Sequence, residues 1–329
     1  MLSLVSSGTG QQTSNSQSEI TYPSKISFNS LPQMTANLTE ERNAGKGPVQ
    51  NLLAAGSPIL VGSSGPNGVV WNKCTGNFMI VNSNSTECKN GNDYGGFLTS
   101  FFCLPPVLST TPPPGVVNWD SSVSLGKLYY GPTMYWNGTL PDKYLRLTAE
   151  YLYISADLTS VKLTPFVPKT TDEGTIDLLP VISSSNPTAP GLPVCVYGAA
   201  SGYRCGKLIA MNLNLVVPNP VLPKWGDLML NNLNKVDLGT NGLLSEDVGA
   251  PVYCETQIGD RTLAQALGHI SVIDNNDPQH QSFYYSSLEQ ALDGIISDQS
   301  CTYSLLTYNE KNAEEYEELL NQVEIPPKK

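Results

Sequence analysis

The side chains able to do acid–base or nucleophilic chemistry are few and unevenly placed. Only two histidines are present, His269 in Ala266-Leu267-Gly268-His269-Ile270 and His280 at the end of the polar run from Asn275. An imidazole is the usual general base near neutral pH, so a hydrolytic reading has to pass through one of them. His269 lies in an apolar, strand-like run, where a structural histidine is the expectation, and His280 reads as a solvated turn residue. Cys-x-x-Cys is absent and neither histidine stands at ligand spacing from a cysteine, so no metal is expected. Asp274-Asn275-Asn276-Asp277 offers oxygens without the spacing of a calcium loop and reads as a turn. Gly202-Tyr203-Arg204-Cys205-Gly206 precedes no helix signal, which removes a phosphate cradle, and no cofactor is expected. The 16 tyrosines, among them Tyr129-Tyr130 and Tyr284-Tyr285, leave sugar stacking as an alternative to their common use in strands and interfaces.

Charge narrows the field further. Lys plus Arg total 18 against 29 for Asp plus Glu, a net charge of −11, so there is no basic footprint for a phosphate backbone and nucleic acid is excluded as a partner. With 14% charged and 40% hydrophobic residues the chain is able to bury a core and is not of the charge-repelling disordered kind. No run approaches about 18 consecutive apolar residues, so no membrane span is expected. Seven cysteines and three sequons, at Asn37, Asn84 and Asn137, point to a secreted, extracellular glycoprotein carrying N-linked glycans. Met1 to Val5 is too short for the apolar region of a signal peptide, so either the numbering begins inside a longer precursor or export takes another route.

The elements that would position these groups are short and mostly β. Residues 1–58 form an extended Ser/Thr/Asn-rich arm with little core of its own, which has to lie on its own body or on a neighbouring copy. From about Ile59, β-type runs bounded by Gly, Pro and Asn recur: Gly68 to Trp71, Phe78 to Val81, Gly96 to Thr99, Tyr151 to Ile154, Lys207 to Met211 and Leu213 to Val217. Such spacing indicates a sandwich or barrel. Leu288, Ala291, Leu292 and Ile295 have the spacing of one buried helix face within Ser286 to Ile296. Ala313, Tyr316, Leu320 and Val323 repeat that spacing through the acidic stretch Glu314 to Glu318.

Five segments in order carry a resemblance. They are Cys74-Thr75-Gly76-Asn77-Phe78 on to Val81, Gly95-Gly96-Phe97-Leu98-Thr99 running to Phe102-Cys103, Cys195 through Gly202-Tyr203-Arg204-Cys205-Gly206, Glu246-Asp247-Val248-Gly249-Ala250-Pro251-Val252-Tyr253, and Phe283 to Leu292. The chain resembles the chymotrypsin-like serine proteases, in particular the streptogrisin and alpha-lytic branch. The resemblance implies an all-β fold of two packed six-stranded antiparallel barrels over residues 59–297, with the arm before it, a C-terminal helix, and an extension over 298–329 holding the acidic amphipathic helix. It also implies disulfides Cys74–Cys103 and Cys195–Cys205. A bridge between Cys254 and Cys301 is a guess that leaves Cys88 over.

That family needs a serine, a histidine and a buried carboxylate in contact. By the resemblance, Phe102 stands at the histidine position, Val248 at the nucleophile, and Glu150 at best where the carboxylate was. A phenyl ring accepts no proton and an isopropyl group has no hydroxyl. Ser245 lies three residues from the nucleophile position, off the tight turn. Ile270 to Ile273 is bulky where the family leaves room for a substrate side chain. The expectation is a non-catalytic, secreted, protease-like glycoprotein without catalytic residues. It would act as a structural or binding subunit of an extracellular assembly, with a protein partner or other copies of itself, in a homo-oligomer or filament joined through the arm. The alternatives are an active secreted serine endopeptidase with a diverged triad, and a carbohydrate or cell-surface binding protein on the same scaffold.

Overall fold

A computed structural model describes residues 20–21, 25–28, 51–65, 68–82, 94–105, 115–136, 144–221, 226–239, 242–275, 281–299, 302–309 and 312–320. In chain order the first strands are β1 (Ile20–Thr21), β2 (Lys25–Phe28), β3 (Asn51–Leu53), β4 (Pro58–Gly65), β5 (Gly68–Thr75), β6 (Met79–Asn82), β7 (Gly95–Thr99), β8 (Gly115–Val117), β9 (Ser124–Tyr130), β10 (Met134–Trp136), β11 (Leu145–Leu147) and β12 (Leu152–Ala156). There follow β13 (Val161–Leu163), β14 (Phe166–Thr170), β15 (Ile176–Ser184), β16 (Pro193–Gly198), β17 (Gly202–Val217), β18 (Leu228–Asp237), β19 (Pro251–Ile258), β20 (Arg261–Asp274) and β21 (Ser282–Ser287). The helix α1 (Leu288–Gln299), the strand β22 (Tyr303–Leu305) and the helix α2 (Ala313–Leu320) complete the described chain.

Strand pairing closes two barrels. In the second half β16, β17, β18, β21, β20 and β19 each pair antiparallel with the next, and β19 returns to β16, giving a ring of six strands without a free edge. In the first half the antiparallel path runs β5–β4–β8–β9–β12–β7–β6. Only Gly76, Asn77 and Phe78 separate β5 from β6, so the two ends of that path are one bent strand and the path is also a barrel. Alternation fills each interior: Ile59 and Val61 on β4 join the main core, whereas Leu60 between them turns out onto Trp71 and Val117.

The sequence expectation for the strands holds with one change. Lys207 to Met211 and Leu213 to Val217 are not separate strands; both belong to the single 16-residue β17. Asn212 (φ 55°) and Asn232 (φ 56°), on either side of the Leu213–Leu233 pair, both lie in the left-handed region, and the ladder shifts register there. Asparagine tolerates that conformation better than most residues, so the chain bulges rather than breaks. On α1, Leu288, Ala291 and Ile295 are buried as their spacing predicts, and the Ser287 hydroxyl caps the helix by accepting from the Gln290 amide at 3.1 Å.

Described segments near both ends of the chain pair with the body. β1 pairs antiparallel with Ile273–Asp274 of β20, and β2 pairs antiparallel with Val69–Asn72 of β5. The described part of the arm is thus paired within its own chain. At the other end β22 pairs with β6, the Tyr308 amide donates to the Val181 carbonyl at 2.7 Å, and Tyr316 packs edge-on against Phe166. The acidic helix meets the body through the buried Tyr316, with Glu315 paired to Lys162; Val323 of the expected stripe lies outside the described residues.

Disulfides Cys74–Cys103 and Cys195–Cys205 are both formed. The guessed Cys254–Cys301 bridge is not: Cys254 is a free, buried thiol directed at the Pro193 carbonyl at 3.3 Å. Its place on β19 next to β16 gives the sulfur a carbonyl partner inside the sheet. Burial pushes the Cys254 thiol up to about 11. Cys88, Cys301, His280 and the sequon residues Asn37, Asn84 and Asn137 lie outside the described residues.

Candidate functional site

The two barrels meet at a buried carboxylate. Glu150 immediately precedes β12 and is 6% exposed. Its Oε1 accepts from the Ser100 hydroxyl at 2.7 Å and from the Phe101 amide at 2.6 Å, both on the 3₁₀ turn that follows β7 in the first barrel. Its Oε2 accepts from His269 Nε2 at 2.6 Å and from the Ser271 hydroxyl at 2.5 Å, both on β20 of the second barrel. Each oxygen therefore serves one barrel. A carboxylate offers about four lone-pair positions, and all are taken. Gly268 lets β20 approach closely enough to deliver His269, because a Cβ there would collide with the Ser286 carbonyl.

Electrostatics hold this carboxyl ionised. Burial raises its pKa, but the pull of His269 and the hydrogen bonds from His269, Ser271 and Ser100 outweigh that and keep it below the ordinary glutamate range. The Ser271 hydroxyl also meets the Ser286 hydroxyl at 2.9 Å. His269 is fully buried, and its Nδ1 has no hydrogen-bond partner. The order of contacts is hydroxyl, carboxylate, imidazole. Nucleophilic catalysis needs the imidazole in the middle, with one nitrogen on the carboxylate and the other on the hydroxyl. His269 makes only the first of those two contacts.

The remaining predicted positions are apolar and buried. Phe102, on the 3₁₀ turn Phe101–Cys103, is 2% exposed and Val248 is 0% exposed, and both belong to the main core. The Val248 carbonyl accepts from the Thr75 amide at 3.0 Å, and the Val248 amide faces the Ser245 carbonyl at 3.4 Å. Gly249 (φ 89°) makes the tight turn after it, and a Cβ there would run into Thr99 Oγ1 and the Thr75 carbonyl. Asp247 is fully buried with no cation partner among the described residues; it accepts from the amides of Ala200 at 2.9 Å, Ser201 at 3.2 Å and Leu244 at 2.7 Å. Ser245 spends its hydroxyl on Glu246 at 2.8 Å.

Ile270, Ser271, Val272 and Ile273 are all buried. A recess of about 50 Å³ runs along Leu147 to Glu150, Met229 to Asn232 and Gln290. At about 10–15 Å³ per water it holds a few solvent molecules, and its lining includes neither His269 nor Ser271. Three potential metal ligands, Cys195, Cys205 and Glu255, come together, but the sulfurs form a disulfide and Glu255 is engaged by Lys169 at 2.7 Å and Tyr203 at 2.6 Å. Asp274, suggested above as a turn residue with calcium-like neighbours, is paired with Lys235 at 3.1 Å.

Two closed six-stranded antiparallel barrels thus pack with Glu150, the Val248 turn and β20 at their junction. The fold is chymotrypsin-like. No family model matches the chain, and no curated protein does. Among solved structures the chain is similar to a chymotrypsin from Cellulomonas bogoriensis, with 16% identity and a TM-score of 0.44 over 78% of this chain and 100% of that one. Protease A from Thermobifida fusca gives 17% and 0.42 over 78% and 100%, and an alpha-lytic protease homolog, N4, gives 15% and 0.46 over 74% and 97%.

Sequence reasoning placed Glu150 at the carboxylate position and His269 in a buried strand, but it did not join the two. The signal available was the pair His269 and Ser271 at i and i+2, which places both side chains on one face of a strand.

Proposed function

We propose that this chymotrypsin-like chain is a non-catalytic, secreted protein that works through its surfaces, as a structural or binding subunit of an extracellular assembly. The observation that supports this reading is the Glu150 carboxylate, whose four acceptor positions are filled by donors from both barrels while the imidazole beside it meets no hydroxyl. A hydroxyl bonded to a carboxylate that already holds its other donors has no base to give its proton to. Phe102 and Val248, each with about 1.5–3 kcal/mol of burial, add apolar packing where a wet cleft would be required. Two disulfides and three sequons favour an extracellular setting.

Purified full-length protein incubated with casein and with a panel of fluorogenic peptide and ester substrates should give no turnover above buffer. Turnover that is lost in His269→Ala while the fold persists would overturn the proposal. It would favour the second reading, a hydrolase built on the Glu150–His269 pair, which has its own support in their 2.6 Å contact. A sugar-binding surface has less support. Tyr151, Tyr153, Tyr253 and Tyr285 are fully buried, and the exposed Tyr94 and Tyr135 stand apart, before β7 and on β10.

A further inference from the structure

Cys195, Cys205 and Glu255 are brought together by three neighbouring strands of the second barrel. β16 is the middle one: Cys195 pairs directly with Cys205 on β17 along one edge and with Tyr253 on β19 along the other. Glu255 stands two residues beyond Tyr253, so it shares the face of the sheet that carries the two cysteines. One oxygen of its carboxylate and the two sulfurs lie within 4.8 Å of one another. Two neighbours fix that carboxylate. Its Oε1 accepts from the Tyr203 hydroxyl at 2.6 Å and its Oε2 from Lys169 Nζ at 2.7 Å, which leaves a lone-pair position on each oxygen. Burial, and then the bond to Glu255, push the Tyr203 phenol far above its ordinary pKa, so it stays a donor. Cys195 is buried whereas Cys205 is exposed, which makes Cys205 the sulfur that dissolved reagents meet first.

We propose that Cys195, Cys205 and Glu255 form a zinc site that the disulfide keeps closed and that a dithiol reductant opens. A thiolate of the dithiol attacks Cys205 Sγ, the bond between the two cysteine sulfurs breaks, and Cys195 leaves as a thiolate. The second thiol of the reductant then releases Cys205. The dithiol thereby loses two electrons and closes to a cyclic disulfide, while the protein gains them. The freed sulfurs are soft donors suited to Zn²⁺, and the ion displaces the protons they hold. Tetrahedral zinc holds sulfur and oxygen ligands at about 2.0–2.3 Å, so its donors stand roughly 3.3–3.8 Å apart. Side-chain rotation supplies that spacing without moving the strands. Two thiolates and Glu255 carry three negative charges against the one positive charge of Lys169, and a divalent ion cancels the remaining two. Three protein donors leave the fourth position to water, on the exposed side at Cys205. The site shares no residue with the Glu150 network, so it stands whether or not that network is catalytic.

The test is metal binding by the full chain before and after brief treatment with dithiothreitol, which is then removed by gel filtration without oxygen. Cys74 and Cys103 are fully buried, so brief treatment opens Cys195–Cys205 first. Cd²⁺ serves as the optical probe, through the ultraviolet absorption of its thiolate bonds, and Zn²⁺ is followed by competition with a chromophoric chelator. Reduction should add one bound ion per chain together with the cadmium–thiolate band. Glu255→Gln should weaken Zn²⁺ binding roughly 100-fold by loss of a ligand, and Tyr203→Phe roughly 10-fold by loss of an outer partner. Equal uptake by oxidised and reduced chains overturns the proposal. So does unchanged affinity in Glu255→Gln, or a cadmium band undiminished in the double variant Cys195→Ser with Cys205→Ser, which assigns it to other cysteines. If the reduced chain no longer melts cooperatively, Zn²⁺ should restore the cooperative transition, and failure to restore it overturns the proposal.

Discussion

Replacing Glu150 by alanine removes one acceptor from each of four buried donors, and the cost follows from which donors can turn elsewhere. The Ser271 hydroxyl retains Ser286 at 2.9 Å. The Ser100 hydroxyl still accepts from the Phe102 amide and is free to rotate its proton. The Phe101 amide and the His269 Nε2 proton have no such exit. Moving the imidazole proton to Nδ1 gains nothing, because that nitrogen also lacks a partner. Two stranded donors at about 1–3 kcal/mol each give a destabilisation of roughly 2–6 kcal/mol. For a protein of this size that is a fall in melting temperature of about 10 °C. Urea unfolding at pH 7 with an unchanged m-value is the assay. Glu150→Gln, which keeps one acceptor and adds a donor facing other donors, should cost about half as much. The double variant with His269→Ala should be no worse than Glu150→Ala alone. A loss under 1 kcal/mol in Glu150→Ala would refute the view that this carboxylate joins the barrels.

Other expectations follow from the same geometry. Because the Glu150 pKa is lower in the folded chain than its ordinary value of 4.5, its contribution is complete above that value and is lost as pH falls through the folded one; wild type should lose stability more steeply than Glu150→Gln on acidification below about pH 4.5. Phe102→Ala should destabilise by about 3–5 kcal/mol through a core cavity, as measured by chemical denaturation, whereas an exposed ring in a functional cleft would cost under 1 kcal/mol. With its thiol at about 11, Cys254 should react with iodoacetamide at pH 8 at least tenfold more slowly in the folded chain than in urea; equal rates would contradict its burial. Opening Cys74–Cys103 by a double serine substitution should cost roughly 3–4 kcal/mol, from the 29-residue separation it closes, and opening Cys195–Cys205 about 1 kcal/mol less.

Much of the fold was readable from local chemistry. The strands around Ile59 to Val61 and the face of α1 announce themselves by period, and the cysteine neighbourhoods order the segments. The two disulfides the resemblance implies are formed, whereas the guessed third pairing fails because nothing along the chain reveals that Cys254 faces a carbonyl inside the sheet. The left-handed residues Asn212 and Asn232 were invisible because the amide of each meets the side chain of an asparagine on the facing strand, Asn234 and Asn214 respectively, a long-range relation without a local signature. The Glu150 network was half legible. Each member looked ordinary alone, and only the packing of β20 against the turn after β7 brings Ser100, Phe101, His269 and Ser271 to one carboxylate. For the arm the sequence left its own body and a neighbouring copy both open, and the particular partners of Ile20–Thr21 and Lys25–Phe28, on β20 and β5, are about 250 and 45 residues away and have no local signature.

The proposal on which the rest stands is that no hydroxyl among the described residues is activated for attack. Intact-mass spectrometry after incubation of folded protein with a fluorophosphonate probe measures that directly. The account expects the unmodified mass alone; a single stoichiometric adduct that maps to a serine and disappears when His269 is replaced would contradict it.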